Sequence, residues 1–350
     1  MKILIVFLSG LGNMILFTPA LRSIREKYPN AQITLWLKQK AAGEVVRSLG
    51  LGIIIIPYYS RNIRGLFKQL LVFLKLRKTQ YDIIITTFIE KGFKVRLMVR
   101  GLKAKKKLGY LTGSFTDRWF TDLLEFNRQE HEVERHFKIA RVLNCPSTIQ
   151  DPHWDLEDDR QLVGEFTAHH NIAEGCKVLV GLHPGSSRGL SHKRWNASKF
   201  AKAADLISEK YNAAILIFGS KEEVPLSKKI AKYVSSCKPI LLSGRTTLPQ
   251  TAALIKRCDC FISNDSGLMH VAAAVRTPQI ALFGPTSTAK NAPLSAQAII
   301  IDGKQIDRES KNPIENITVT HVLEAFEKLK ETETKDYERK RALRSTIRPK

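Results

Sequence analysis

The stretch ILIVFLSGLGNMILFTPALRSIREK, residues 3–27, decides the fold of the first part of the chain. Residues 3–8 are all apolar, which predicts a strand that is buried on both faces. The glycines of SGLGN allow a tight turn, and the apolar spacing that follows predicts a helix from about Met14 to Lys27. A buried strand that leads through a glycine turn into a helix is typical of a parallel α/β domain with right-handed crossovers.

A secretion signal and a dinucleotide loop are two other interpretations of this start. The apolar run breaks at the glycine turn, and Thr18–Ala20 leads into a helix where a signal peptide would have a cleavage site, so we predict no signal peptide. Gly10 and Gly12 are not followed by the third glycine of a dinucleotide loop, since Ile15 stands at that position. The loop therefore favours another ligand or a plain tight turn.

The alternation of strands and helices continues along the chain and predicts two domains. It weakens between Phe115 and Asp159, where prolines and acidic residues indicate a linker, and a second α/β series follows. We predict an α/β protein of two Rossmann-like domains with parallel sheets that face a central cleft, with ligands at the carboxyl ends of the strands. The predicted segments are an N-terminal domain over 1–150, a C-terminal domain over 151–330 and a charged, flexible tail over 331–350.

The basic charge is the unusual feature of the composition. The formal net charge is +23, and the segment from Arg61 to Lys107 has fourteen Lys or Arg against two acidic residues. Such a surface attracts anionic lipid, a phosphorylated substrate or nucleic acid, or it is simply well solvated. No nucleic-acid-binding motif is present, so we predict no nucleic-acid partner. The helical segment 63–78 fits either an anionic membrane interface or a crossover helix with a solvated basic face.

The cysteines and the hydropathy bear on location. The five cysteines have no metal-type spacing, which predicts reduced thiols in the cytoplasm and no metal site. No run of about 18 apolar residues occurs, so we predict no transmembrane helix. We expect the protein in the cytoplasm. A more specific expectation is that it contacts the inner face of the cytoplasmic membrane as a peripheral protein.

Three more loops follow predicted strands and have residues suited to chemistry. The segment HPGSSRGLSHKRW (183–195) combines small, hydroxyl and basic side chains, which suits a phosphate or diphosphate unless it is an ordinary surface loop. The segment SNDSGLMHVAAAV (263–275) places polar residues before a helix N-terminus, which suits an anion, although its aspartate is also a plausible N-cap. In FGSKEE, the carboxylate of Glu223 suits ribose hydroxyls unless it is an ordinary surface glutamate.

Together these segments resemble glycosyltransferase family 9, the ADP-heptose:lipopolysaccharide heptosyltransferases and their relatives. The resemblance spans residues 1–329 and rests on TPALRSIREKYP, HPG…KRW, Gly219-x-x-x-Glu223 and NDSGLMHVAAAV…PQIALFGPT. It implies a GT-B fold with an N-terminal acceptor domain and a C-terminal domain for an ADP-sugar co-substrate, with no cofactor and no metal. It also implies an acceptor that is a phosphorylated, lipid-linked saccharide made at the cytoplasmic membrane face, which gives the basic N-terminal half a role in meeting anionic head groups.

The resemblance implies a role for each candidate residue. Residues of the C-terminal domain would bind the diphosphate, the ribose, the adenine, and the sugar hydroxyls and phosphates of the donor. In that order they are Lys193 with Ser186 and Ser187; Glu223; the backbone around Thr246 and Thr247; and Asp265, Ser266, Gly267 and His270. The glycine loop, with Gly10, Gly12 and Asn13, would hold the acceptor.

The chain departs from the family pattern at Asn13. Characterised heptosyltransferases carry an aspartate there, proposed as the general base, and an amide cannot take a proton near neutral pH. Another carboxylate can serve, and Glu90 after the strand YDIIITT is our candidate. Alternatively, the proton leaves late, to the departing phosphate or to water, or the enzyme is weak or uses a different acceptor geometry.

The sequence thus predicts an inverting, metal-independent glycosyltransferase that moves a heptose from an ADP donor to a lipopolysaccharide-core or similar cell-surface acceptor. Two other functions stay open. One is a catalytically weak or silent protein that binds nucleotide-sugars or polyanions, favoured by Asn13 and by the charge. The other is a GT-B-like sugar-nucleotide epimerase, which would turn over the donor without an acceptor.

Overall fold

The chain forms two compact units, Met1–Glu157 and Asp158–Lys350, where the sequence suggested a division at residue 150. The computed structural model describes residues 1–58, 63–87, 92–125, 127, 129–146, 151–154, 156, 178–186 and 189–346. Each unit has one parallel sheet of six strands, so each has the layers of a Rossmann-like domain.

The first unit has the sheet order β3-β2-β1-β4-β5-β6. Its strands are β1 (Lys2–Phe7), β2 (Gln32–Leu37), β3 (Ile54–Pro57), β4 (Gln80–Thr86), β5 (Lys103–Tyr110) and β6 (Asp122–Leu124). Its helices are α1 (Leu11–Lys27), α2 (Lys40–Ser48), α3 (Ile63–Arg77), α4 (Phe93–Gly101) and α5 (Glu132–Val142). The strand order reverses between β1 and β4, which pair directly, so the loop SGLGN leaves the sheet at the switch point.

Helix α1 begins three residues earlier than the apolar spacing predicted. Gly10 is the N-cap in an extended conformation, and the Met14 N–H donates to the Gly10 carbonyl at 3.1 Å, so the glycine loop itself forms the first turn. Pro19 lies inside this helix and cannot donate to the carbonyl of Ile15. The hydroxyl of Thr18 donates to that carbonyl at 2.7 Å instead, so the Ile15 carbonyl has a hydrogen-bond donor although the proline lacks an N–H.

The second unit has the sheet order β12-β11-β10-β7-β8-β9. Its strands are β7 (Val178–His183), β8 (Ala213–Ile217), β9 (Ile240–Leu241), β10 (Cys260–Asn264), β11 (Gln279–Phe283) and β12 (Ala298–Asp302). Its helices are α6 (Ala197–Tyr211), α7 (Val224–Tyr233), α8 (Leu248–Lys256), α9 (Gly267–Ala274), α10 (Thr288–Asn291), α11 (Gly303–Ile306) and α12 (Val319–Thr346). The order reverses between β7 and β10, so the loops after these two strands flank the position where ligands of such sheets bind.

The core of each unit follows the apolar strands. In β1 and β10 five consecutive residues are buried, as expected for central strands of a parallel sheet covered on both faces. Helix α12 extends to Thr346, so the backbone is helical through most of the segment for which the sequence suggested a flexible tail. Among the described residues, no helix is long and apolar enough to cross a membrane.

Candidate active site

The loops that follow β7 and β10 bring the predicted diphosphate residues together. Lys193 ends a short 3-10 helix over Ser191–Lys193, and its Nζ donates to Asp265 Oδ2 at 2.7 Å. Asp265 lies directly after β10 and is 7% exposed. The pair crosses the switch point between the two strands, so the structure brings these two predicted donor residues into contact.

Helix α9 begins at this ion pair. Its N-cap is Ser266, with φ −152° and ψ 171°, but the Ser266 side chain makes no capping hydrogen bond to the helix. Gly267 is the first helical residue, and His270, buried at 5% exposure, lies within the first turn and a half. A helix N-terminus without a side-chain cap presents amide N–H groups and a positive dipole end, which suits an anionic ligand beside Lys193.

Glu223 is held at both carboxylate oxygens. Oε1 accepts from the Ser186 amide at 3.0 Å, and Oε2 accepts from the Ser220 amide at 2.8 Å within a capping box. Burial raises the pKa of this carboxyl, but the hydrogen bond and charge of His183 and the bond from Ser220 outweigh it, so the pKa falls to about 2. Glu223 therefore keeps a fixed negative charge at the carboxyl end of the sheet.

Gly185 makes room for this carboxylate. A Cβ atom at position 185 would lie 1.8 Å from Glu223 Oε1, so the carboxylate would have to leave its two hydrogen bonds. The hydroxyl of Ser186 donates to the Leu190 carbonyl at 2.9 Å and accepts from Arg194 Nε at 3.0 Å, so it fixes the loop itself. Ser187, which the sequence also predicted for the diphosphate, lies outside the described residues.

His183 links the two halves of the site, and the sequence analysis did not select it. Its Nδ1 lies 2.9 Å from Ser266 Oγ, and its Nε2 lies 3.5 Å from Glu223 Oε2. A carboxylate only accepts, so a proton on Nε2 lets His183 donate towards Glu223, and Nδ1 shares a hydrogen bond with the Ser266 hydroxyl. Its position as the last residue of β7 and the first of the HPG motif was the indication in the sequence.

Asn264 is a second residue that the sequence left out of the site. Its Oδ1 accepts from the Trp195 amide at 3.0 Å, and its Nδ2 donates to the Pro184 carbonyl at 2.8 Å. The last residue of β10 thus holds both ends of the loop that carries Lys193. These two hydrogen bonds explain why the polar side chain of Asn264 is buried at the end of an apolar strand.

The predicted adenine loop follows β9, next to the loop that holds Glu223. The Gly244 amide donates to the Gly219 carbonyl at 3.0 Å, which joins the two loops. Thr246 Oγ1 lies 2.7 Å from Thr251 Oγ1, and Thr247 caps α8 through a capping box with Gln250. Both threonine side chains therefore have structural partners, which leaves the backbone as the part suited to a base.

The predicted acceptor loop belongs to the first unit. Gly10, Gly12 and the half-buried Asn13 form the start of α1, directly after β1. Glu90, our candidate for the base, lies outside the described residues, although the strand before it, β4, pairs with β1. The identity of the base stays a prediction.

The family model for glycosyltransferase family 9 (heptosyltransferase) matches residues 71–318. Over 296 residues the chain is 31% identical to Lipooligosaccharide heptosyltransferase 2 of Campylobacter jejuni subsp. jejuni serotype O:2, covering 84% of each chain. The chain belongs to glycosyltransferase family 9. It is also 29% identical over 321 residues to Lipooligosaccharide heptosyltransferase 2 of Haemophilus ducreyi, covering 86% of this chain and 88% of the relative.

A solved structure supports the fold. E. coli ADP-heptose lps heptosyltransferase II superposes with a TM-score of 0.78 at 23% identity, covering 95% of this chain and 100% of the other. The predicted fold class, α/β and GT-B with two Rossmann-like domains, is therefore confirmed. So are the resemblance found in the motifs and the prediction that this member of glycosyltransferase family 9 is an enzyme.

The match to the family model includes the predicted donor residues but not the glycine loop. Residues 71–318 include the loops after β7, β8 and β10, whereas the glycine loop with Asn13 lies before them. Within the described ranges, no group of three or more His, Cys, Asp or Glu is placed to hold a metal ion. That this glycosyltransferase works without a metal stays a prediction.

Proposed function

We propose that this glycosyltransferase transfers a heptose, or a related sugar, from an ADP-sugar to a lipopolysaccharide-core or similar cell-surface glycolipid acceptor. The relatives from Campylobacter jejuni and Haemophilus ducreyi are lipooligosaccharide heptosyltransferases that match over most of their length. The reaction inverts the anomeric centre and uses no metal ion. It takes place at the inner face of the cytoplasmic membrane, where the lipid-linked acceptor is exposed.

The ion pair of Lys193 and Asp265 at the start of α9 is the observation that carries this proposal. As the bond from sugar to phosphate breaks, negative charge grows on the departing diphosphate. An ammonium has three N–H donors, so Lys193 can keep its bond to Asp265 and still donate to phosphate oxygens. Together with the helix amides it stabilises the leaving group where other enzymes use a divalent cation.

The remaining donor residues surround this pair. Glu223 has a fixed negative charge and can accept hydrogen bonds from hydroxyl groups, which suits the ribose, and the backbone at Thr246 and Thr247 suits the adenine. The sugar and phosphates then meet Asp265, Ser266, Gly267 and His270. His183 acts as a positioning residue because it touches both Glu223 and Ser266.

The chemical step is one displacement. The acceptor hydroxyl oxygen bonds to the anomeric carbon on the face opposite the diphosphate, the carbon–phosphate-oxygen bond breaks, and ADP leaves with its electron pair. Asn13 orients the hydroxyl through its amide, and the hydroxyl proton goes to Glu90, to the departing phosphate or to water.

A binding protein without transfer activity is the second candidate, because Asn13 removes the family's base. General-base catalysis contributes roughly 10²- to 10⁴-fold, so its loss slows an enzyme without necessarily silencing it. The two candidates share a donor site and differ only in turnover with an acceptor.

Calorimetric titration with ADP, UDP and GDP, with and without EDTA, tests the donor site. We expect ADP to bind most tightly, EDTA to have no effect, and Lys193→Ala to weaken ADP binding about tenfold or more, as for loss of a charge-assisted hydrogen bond. Lys202→Ala, an exposed lysine on α6, is the matched control and should bind like the parent. A strict metal requirement, or equal affinity for the three nucleotides, contradicts the proposal; ADP binding without heptose transfer to any core acceptor leaves the second candidate.

A further inference from the structure

Helix α3 exposes a continuous apolar face. The exposed fractions are 57% for Leu66, 62% for Phe67, 51% for Leu70 and for Leu71, and 43% for Leu74. These positions follow an i, i+1, i+4, i+5, i+8 spacing, so they form one stripe along the helix. Single exposed leucines are ordinary, but five large apolar side chains on one helix face mark an interaction site.

The opposite face of α3 is firmly packed, so the exposure does not come from a poorly seated helix. Leu76 is 2% exposed within the core, and Gln69 Nε2 lies 3.8 Å from Met98 Sδ of α4. The ring of Phe73 lies so close to Gly101 that a Cβ there would be 2.8 Å from it. The apolar stripe is therefore a second face, separate from the face that α3 buries.

Basic residues flank the stripe. The described α3 has exposed Arg64, Lys68, Lys75 and Arg77 and no acidic residue at all. The neighbouring α4 adds Phe93 at 48% and Leu97 at 44% exposure, one helical turn apart. The Phe93 ring contacts Phe115, itself 60% exposed, and the guanidinium of Arg118 lies 5.6 Å from the Phe115 ring.

We propose that this face, the exposed residues of α3 with Phe93 and Leu97, docks the enzyme on a bilayer that contains anionic lipid. Apolar side chains with basic residues beside them are the arrangement by which a helix lies in a membrane interface, with its apolar face among the acyl chains and its cations at the head groups. A second copy of the chain is a poorer occupant, because a symmetric contact would place the same basic flank against itself. The choice of a bilayer rests in part on the proposed function, whose acceptor is lipid-linked.

Co-sedimentation of the full chain with vesicles tests the proposal without any nucleotide or acceptor. We expect binding to vesicles of phosphatidylcholine with about 30% phosphatidylglycerol, and at least tenfold weaker binding to pure phosphatidylcholine or in about 0.5 M salt. The double variant Leu70→Ser and Leu74→Ser should bind the anionic vesicles about tenfold or more weakly, since each lost leucine removes apolar burial.

The matched control is Ile300→Ser with Ile306→Ser, two exposed isoleucines of the second unit at 39% and 44% exposure. It should bind vesicles like the parent. Turnover with a deacylated, water-soluble core saccharide should be the same in both double variants, which separates docking from transfer. The proposal is overturned if the parent does not sediment with anionic vesicles, if both double variants lose binding alike, or if the parent is a dimer by light scattering that the α3 variant dissociates while neither binds vesicles.

Discussion

Asn13 is the third residue of α1, at the carboxyl end of β1, where its side chain is half-buried. Asn13→Asp is therefore expected to restore a base without moving the backbone. Since a positioned base contributes roughly 10²- to 10⁴-fold, we expect kcat to rise at least about tenfold near neutral pH. Steady-state kinetics of the parent and the variant at neutral pH check this.

The aspartate would also stabilise α1, since a negative charge in the first turn contributes about 0.3–1 kcal/mol. Thermal melting of the variant separates this effect from catalysis, and Asn30→Asp, at an exposed position outside the helix, is the matched control. An unchanged kcat in the Asn13 variant would show that a carboxylate at position 13 does not take the acceptor's proton in the rate-limiting step.

The sequence indicated which residues share a loop motif, but not which residues the fold brings into contact. Lys193 and Asp265 were found because each follows a strand in a loop of recognisable composition. His183 contacts Ser266, 83 residues later, and Asn264 contacts Pro184, 80 residues earlier. Both contacts depend on β7 pairing with β10, and strand order cannot be deduced from the local sequence.

At the scale of elements, the packing of α5 on α1 and β1 buries a histidine and thereby makes the stability depend on pH. His136 of α5 is 1% exposed against the rings of Phe7 and Phe17, and neither ring nitrogen has a hydrogen-bond partner among the described residues. Burial, and then the charges of Arg135 and His131, lower the pKa of His136 to about 3. The folded state therefore keeps this imidazole neutral.

The free energy of unfolding is expected to fall as the pH falls below about 6.5. The unfolded chain then binds a proton at His136, whereas the folded chain does not bind it until about pH 3. The loss at pH 5 is about 2 kcal/mol, since each pH unit is worth about 1.36 kcal/mol. His136→Leu should remove this loss of stability. The unfolding free energy of the variant minus that of the parent should therefore increase by about this amount between pH 7 and pH 5. Urea unfolding at both pH values checks this.

The control is His192→Leu, an exposed histidine, whose difference from the parent should be the same at both pH values. If the His136 variant also shows a constant difference, the histidine is protonated in the folded state or becomes hydrated.

The order of strands and helices around His136 was predictable from apolar runs and glycines. The start of α1 was not, because its first turn consists of the glycine loop, whose composition indicates a turn and not a helix.

The whole molecule consists of two units that each have a sheet and a core, yet the predicted donor residues all belong to the second. The two α/β series and the prolines and acidic residues between them predicted two domains, and the resemblance to glycosyltransferase family 9 implied that the second one holds the donor. A ligand that contacts one unit stabilises the native state of that unit by about 2.7 kcal/mol at 100 times its dissociation constant. The donor nucleotide is therefore expected to act on one half of the chain.

Hydrogen exchange of the intact enzyme with saturating ADP checks this expectation. Amides in β7, β10 and α9 should exchange on the order of 100-fold more slowly with ADP, because they open by unfolding of the stabilised unit. Amides in β1 and β2 should change little, and Lys193→Ala should reduce the protection at a fixed ADP concentration. Protection of equal size in both units would show instead that they unfold as one cooperative body, so that donor binding is linked to the stability of the acceptor loop.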